Sequence, residues 1–151
     1  METQLLYMSS VDLVKGYIRQ LCADLGVDAN SIYNEKTGAW YFVQGNSTIE
    51  VFLTAQKNPK QDQQVFIRCM APLCAIPRDF PKQFLLYKTA LAINATYLGY
   101  KLSADEARGI VCAISERNIE GMDYAEMITL ISDLGFWADK LDAFLRKEIL
   151  G

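Results

Sequence analysis

The sequence FPKQFLLYKTALAINATYLGYKL, residues 80–102, predicts one helix that runs directly into a strand. Its apolar residues recur every three or four positions and form two stripes. One stripe contains Phe84, Tyr87, Leu91 and Ala95, and the other contains Leu86, Ala90, Ile93 and Tyr97. At about 100° per residue, the stripes lie on nearly opposite faces. Because a surface helix needs only one apolar stripe, this helix is expected to be covered on both sides.

A sheet of the same chain can cover one stripe, and the other needs a second layer. We predict a homodimer in which Leu86, Ala90, Ile93 and Tyr97 meet their copies across a twofold axis. The alternative is that the last helix of the same chain covers this stripe. The two readings predict different oligomeric states for the same sequence.

Residues outside this stretch predict an α+β fold in the order α-β-β-β-α-β-β-α. A first helix is expected over about residues 10–25, capped by Ser9 or Ser10. The central helix is expected to begin at a cap on Asp79, with Pro81 in its first turn. A last helix is expected from a cap at Asp123, with Glu126 completing a capping box, to Leu145. Alternation predicts an antiparallel sheet of about five strands, at residues 39–44, 48–55, 64–71, 100–102 and 110–115, with room for a short strand at 31–33.

Two details of this pattern carry specific expectations. Ser103, Ala104, Asp105 and Glu106 are predicted to form a polar turn between the last two strands. Gly135 stands inside the last helix, where glycine costs about 1 kcal/mol relative to alanine. We interpret it as a point of close approach to another backbone.

The totals favour one folded domain over residues 1–151. Hydrophobic residues make up 51% of the chain and charged residues 22%, which is typical of a globular protein with a full core. No apolar run approaches the roughly 20 residues that span a bilayer, and METQLLYMSS lacks the pattern of a secretory signal. We therefore expect a cytoplasmic protein without membrane contact. A net charge of −3 without a basic cluster also argues against nucleic-acid binding.

Catalytic motifs are missing from the sequence. The chain has no histidine, so neither a Ser-His-Asp nor a Cys-His arrangement can form. No glycine-rich phosphate-binding motif is present. The acid pairs Asp105 with Glu106 and Asp123 with Glu126 leave a carboxylate enzyme as an alternative, although a turn and a helix start explain both pairs. We predict no enzyme and no cofactor.

The four cysteines are Cys22, Cys69, Cys74 and Cys112, and none of them forms a CxxC pair. A zinc site would need all four thiols, drawn from distant elements, because no histidine is available. We predict free thiols that behave as small apolar side chains, and no metal.

Five aromatic residues are candidates for contact with a ligand. Phe52 and Phe66 fall on the mostly polar face of their strands, where an extended polypeptide segment could rest beside a free sheet edge. The alternative is that both rings pack under the first helix. Trp40, Phe42 and Trp137 are candidates to line a small-ligand pocket, with a core position as the alternative.

A final set of residues carries a family resemblance: Leu85, Leu86, Asn94 and Gly99, the strand Tyr100-Lys101-Leu102, the ADKLDAFL ending of the last helix, and the hairpin of Trp40-Tyr41-Phe42 with Ile49-Glu50-Val51. Through these residues the chain resembles the YbjN-type family, which shares the fold of class I type III secretion chaperones. The resemblance extends over about residues 9–145. The turn at residues 103–106 departs from the Asp or Gly often found there in the family. The resemblance implies a helix-and-sheet domain that dimerises, binds polypeptide segments and is unlike known enzymes.

These observations predict a non-catalytic protein- or peptide-binding module of the chaperone-like kind, with a polypeptide segment or protein as its partner. The alternative function is a small-ligand-binding regulatory domain. A deep closed pocket would favour the second function, and an exposed apolar strip or a free sheet edge would favour the first.

Overall fold

The structure, a computed structural model, describes the backbone of residues 2–151 and the side chains of residues 10–151. Over these residues the helices are α1 (Glu2–Asp24), α2 (Phe80–Thr96) and α3 (Tyr124–Leu145), and a short π-helix (Arg146–Leu150) follows α3. The strands are β1 (Tyr33–Asn34), β2 (Ala39–Gln44), β3 (Ser47–Lys57), β4 (Gln63–Ala75), β5 (Lys101–Asp105) and β6 (Ile110–Asn118).

The six strands form one antiparallel sheet in the order β1-β2-β3-β4-β6-β5. Val51 of β3 pairs with Cys69 of β4, which pairs in turn with Ser115 of β6. The predicted α+β class and element order are confirmed. The additional strand relative to the predicted five is β1, which has only two residues and pairs with the start of β2.

Three predicted boundaries were wrong. Helix α1 begins at Glu2, so Ser9 and Ser10 lie inside it and do not cap it. The helix extends further toward the N-terminus than predicted because neither glycine nor proline interrupts residues 2–15. Strand β4 passes Pro72 because a register shift lies between Pro72 and Cys74, and a bulge tolerates a residue without an N–H group. Ser103 to Asp105 belong to β5, and the turn begins at Glu106.

The caps predicted for the second and third helices are confirmed. Asp79 begins α2 by accepting a hydrogen bond from the backbone N–H of Lys82 at 3.3 Å, and Pro81 sits in the first turn. Asp123 and Glu126 form a reciprocal capping box at the start of α3, with both hydrogen bonds at 2.8 Å. These local signals place both helix starts at their observed positions.

The core lies between one face of the sheet and the helices. Alternate residues of the central strands point into it: Ile49, Val51, Ile67, Cys69 and Ala113. Helix α3 covers this face with Met127, Ile131, Leu134, Ala138, Leu141 and Leu145, and α1 adds Val14, Ile18 and Leu21. The other sheet face carries ion pairs, such as Arg68 with Glu116 at 3.1 Å.

Candidate functional site

Helix α2 is rotated the opposite way to the sequence prediction. Leu86 and Ile93 are 0% and 8% exposed and belong to the subunit core, and Ala90 is half-buried. Tyr97 is the one exposed member of the stripe assigned to a contact between copies. In the other stripe, Phe84 and Leu91 are 62% and 70% exposed. The structure thus corrects the assignment, because the stripe facing outward is the one expected to face inward.

Asn94 fixes this rotation. Its Nδ2 donates to the carbonyl oxygen of Leu102 at 3.1 Å, and its Oδ1 accepts from the N–H of Leu102 at 2.7 Å. Both backbone groups belong to edge strand β5, where a neighbouring strand would otherwise pair with them. The side chain therefore ties α2 to the sheet edge and closes that edge at Leu102.

Exposed aromatic side chains gather where the end of α2, the start of β5 and the outer flank of α3 meet. The rings of Tyr100 and Trp137 lie 5.7 Å apart between centroids, and Phe136 approaches Trp137 edge-on at 5.2 Å. Open space flanks the Tyr100–Trp137 pair on both sides. We call this feature the aromatic groove, and its two parts the first and second chambers.

The first chamber has a volume of about 480 Å³ and lies between α3 and the β5–β6 end of the sheet. Its apolar wall includes Leu98, Leu130 and Trp137, and its charged residues are Arg117, Asp123, Glu126 and Asp133.

Most of these charges have partners. The Nη1 atom of Arg117 lies 2.8 Å from the Oε2 atom of Glu126. A hydrogen bond from the backbone N–H of Asp123, and then Arg117, lower the pKa of Glu126. The carboxylate of Asp123 caps α3. Among the described residues, Asp133 has neither a hydrogen-bond partner nor an ion-pair partner for its carboxylate.

The second chamber has a volume of about 430 Å³ and lies between α2 and α3. Its lining is mainly apolar or aromatic: Ala92, Ile93, Tyr97, Tyr100, Trp137, Leu141 and Phe144. The charged residue in this lining is Lys140, whose Nζ sits 4.9 Å from the centroid of the Phe136 ring. Burial, followed by the neighbouring Tyr97, raises the pKa of the Tyr100 phenol. This chamber suits an apolar side chain.

Phe52 and Phe66 both lie half-buried on the open sheet face. Phe52 pairs with Arg68, and Phe66 pairs with Thr54. Helix α1 is on the opposite face, where Val11 and Leu53 line a shared groove. The alternative that both rings pack under the first helix is therefore wrong, and their role in peptide binding stays a prediction.

Trp40, Phe42 and Trp137 do not meet in one pocket. Phe42 is a core residue, Trp40 packs against Tyr33 with 4.9 Å between ring centroids beside α1, and Trp137 is in the aromatic groove. Sequence reasoning missed the pairing of Trp137 with Tyr100. It did hold one signal, since Trp137 and Phe144 are seven positions apart and therefore share one flank of α3.

The described side chains hold no cluster of three or more Cys, Asp or Glu residues that could bind a metal ion. The acid pairs have structural roles, since Asp105 binds the Nε atom of Arg108 at 2.7 Å and Asp123 caps α3. All four cysteines are free, and burial raises the pKa of Cys69 to about 12. Within the described part of the chain, no helix is both long and apolar enough to cross a membrane.

Solved structures share this fold. The chain matches a chain of the ExsC–ExsE complex with a TM-score of 0.62 at 9% identity, covering 90% of this chain and 92% of the other. It matches the HopA1–SchA chaperone–effector complex with a TM-score of 0.61 at 16% identity, over 90% and 97% of the two chains. The Yersinia pestis type III secretion chaperone SycH, in complex with a fragment of YscM2, gives 0.53 at 12%, over 83% and 97%.

These similarities confirm the predicted fold of type III secretion chaperones. At such identities they establish the fold alone. No family model matches the sequence, and no curated protein does.

Proposed function

We propose that this chain is a non-catalytic, chaperone-like module that binds an extended segment of another protein. The observation that carries the proposal is the aromatic groove, where Tyr97, Trp137 and Phe144 remain exposed on a folded chain. Contiguous exposed apolar surface on a soluble protein typically marks an interaction site. The fold neighbours support this function, because two of them were solved as a chaperone with a protein partner.

We also propose that the protein is a homodimer that uses the outward stripe of α2. Phe84 and Leu91 are exposed on this stripe, and Phe80 extends it at the start of the helix. A twofold contact would bring each residue near its copy and would remove large apolar side chains from water. This dimer contact takes the place of the one predicted through Leu86, Ala90, Ile93 and Tyr97, because most of those side chains are buried in the subunit core.

Further parts of the proposal rest on the sequence. Phe52 and Phe66 are a second candidate surface for the bound segment, on the open sheet face. Assignment to the YbjN-type family, the single domain over residues 1–151 and the cytoplasmic location remain predictions.

The proposed function is tested by capture of an unfolded polypeptide. Wild-type protein should retain a reduced, denatured test protein on an affinity column and slow its aggregation. Trp137→Ala combined with Phe144→Ala should lose most of this capture, because both side chains line the second chamber. A matched control is Val43→Ala, which removes an exposed apolar side chain from β2, outside the groove.

Circular dichroism must show that each variant is folded. If the groove variant captured as much of the test protein as the wild type, the aromatic groove would not be the binding site. If Phe52→Ser with Phe66→Ser then lost capture while remaining folded, the open sheet face would be the site. No capture by the wild type would overturn the proposed function.

A further inference from the structure

The two chambers of the aromatic groove differ in charge, and the first is the more negative. Three carboxylates and one guanidinium line the first chamber, and that guanidinium, on Arg117, is already paired with Glu126. Asp133 stands on the same wall as Trp137 without a partner among the described side chains. In the second chamber the amino group of Lys140 is above the Phe136 ring. The groove therefore offers a free negative charge and an apolar cavity side by side.

We propose that the groove selects polypeptide segments that carry an arginine or lysine beside a large apolar residue. This inference rests on the proposed function and adds the chemistry of the bound segment. The cationic group would lie in the first chamber, near the carboxylate of Asp133 and against the ring of Trp137. The apolar side chain would fill the second chamber, among Tyr97, Leu141 and Phe144.

Two interactions favour the basic residue in the first chamber. A guanidinium or ammonium group over an indole face is attracted by the ring quadrupole. The same group gains an ion pair with Asp133, which is partly screened because the carboxylate is exposed. An acidic segment would meet the unpaired charge of Asp133 in the first chamber, where the guanidinium of Arg117 is already paired with Glu126. The cation of the second chamber, Lys140, lies over the Phe136 ring on the far side of Trp137 from Asp133. Together these effects predict a preference of about three- to tenfold for basic over neutral segments.

The test uses the full chain and an array of short peptides of random sequence. Peptides retained by the wild type should be enriched in arginine or lysine together with aromatic or branched apolar residues, and depleted in aspartate and glutamate. A soluble peptide chosen from these binders then serves as the probe for fluorescence titration. Trp40→Phe in all variants leaves Trp137 as the one reporter, since the chain has two tryptophans.

Asp133→Lys should weaken binding of the basic probe by about three- to tenfold and remove the basic enrichment on the array. The matched control is Glu106→Lys, the same charge change at an exposed position in the turn at the other end of β5. It should leave the affinity unchanged. High salt should reduce the difference between the wild type and Asp133→Lys, because screening weakens exposed ion pairs.

The outcomes separate this inference from the proposed function. Retained peptides without basic enrichment would overturn the inference and leave polypeptide binding intact. No retained peptides would overturn both. A change of oligomeric state caused by Asp133→Lys would identify the groove as a contact between copies and would also overturn the inference.

Discussion

Helices α2 and α3 are both rich in apolar residues, yet they bury very different shares of them. Helix α3 has 22 residues and buries Met127, Ile131, Leu134, Gly135, Ala138, Leu141 and Leu145. Helix α2 has 17 residues and buries only Leu86 and Ile93. The difference comes from position, since α3 lies across the middle of the sheet while α2 stands beside edge strand β5.

This contrast separates apolar residues that hold the fold from those available to a partner. The outward side chains of α2, including Phe84 and Leu91, contribute little to the subunit core. Their burial would come from a second molecule. The proposals for α2 and the aromatic groove both follow from this unused apolar surface.

The contrast is tested most strongly by two leucine truncations. Leu134→Ala in α3 should lower the free energy of unfolding by about 2–5 kcal/mol, because Leu134 is fully buried. Leu91→Ala in α2 should change the stability of the isolated subunit by no more than about 0.5 kcal/mol. Urea unfolding of dilute protein measures both values.

The same position tests the dimer. Leu91→Asp should shift the proposed dimer to monomer in light scattering, and Leu13→Asp on the exposed side of α1 should not. A wild-type protein that stays monomeric at high concentration would remove the dimer. A Leu91→Ala penalty as large as that of Leu134→Ala in dilute protein would show that the subunit itself covers this face of α2.

Local signals in the sequence predicted much of the fold. The caps at Asp79 and Asp123, the strand at residues 39–44 and the element order all depend on neighbouring residues, and the structure confirms them. The rotation of α2 could not be predicted in this way. Both stripes have the same period, and the choice between them depends on how α2 packs beside β5, where Asn94 binds the backbone of Leu102.

The candidate site was less predictable for the same reason. Trp137 and Phe144 share one flank of α3 and could be grouped from sequence. Their meeting with Tyr100 depends on the path from α2 into β5, which spacing alone does not specify. The prediction that Trp40 and Trp137 line one pocket was wrong, because Trp40 packs against Tyr33 at the β1–β2 end of the sheet.

A smaller effect is expected at the contact between α3 and β2. A Cβ atom at Gly135 would lie 2.8 Å from the Cβ of Gln44 and closer still to its Cγ. The nearest atoms are thus those of a β2 side chain, whereas the sequence prediction was a close approach to another backbone. Gly135→Ala should destabilise the protein by about 1–2 kcal/mol, since overpacking outweighs the gain in helix propensity.

Gly16 in α1 provides the control for this glycine. A Cβ atom there would have Arg19 as its nearest neighbour, at 3.9 Å. Gly16→Ala should therefore stabilise the protein by about 0.5–1 kcal/mol. Gln44→Ala should recover part of the Gly135→Ala penalty in a double-mutant cycle. Equal stabilisation by both glycine substitutions would show that α3 is not held closely against β2.

The smallest expected effect concerns the hydrogen bond that joins α3 to α1, a contact that α2 does not share. The Tyr124 hydroxyl donates to the Oδ2 atom of Asp24 at 2.5 Å, and the Tyr124 ring lies 5.9 Å from that of Tyr17. The hydrogen bond, with smaller effects of burial and of the Asp24 charge, raises the pKa of Tyr124 to about 12. An unperturbed tyrosine has a pKa of about 10.

Below about pH 10 the Tyr124 phenol keeps its proton in both the folded and the unfolded chain, so its contribution to stability is fully present. Between about pH 10 and 12 the unfolded chain loses this proton first, and the contribution declines until the folded chain also ionises. The difference in unfolding free energy between wild type and Tyr124→Phe should therefore be constant up to about pH 10 and should fall toward zero near pH 12. Subtracting the variant removes every titration that the two proteins share. Asp24→Asn, which keeps an acceptor but removes the charge, should shift the decline to lower pH. A wild-type-minus-variant difference that stays constant through pH 12 would mean that the hydrogen bond does not hold α1 to α3.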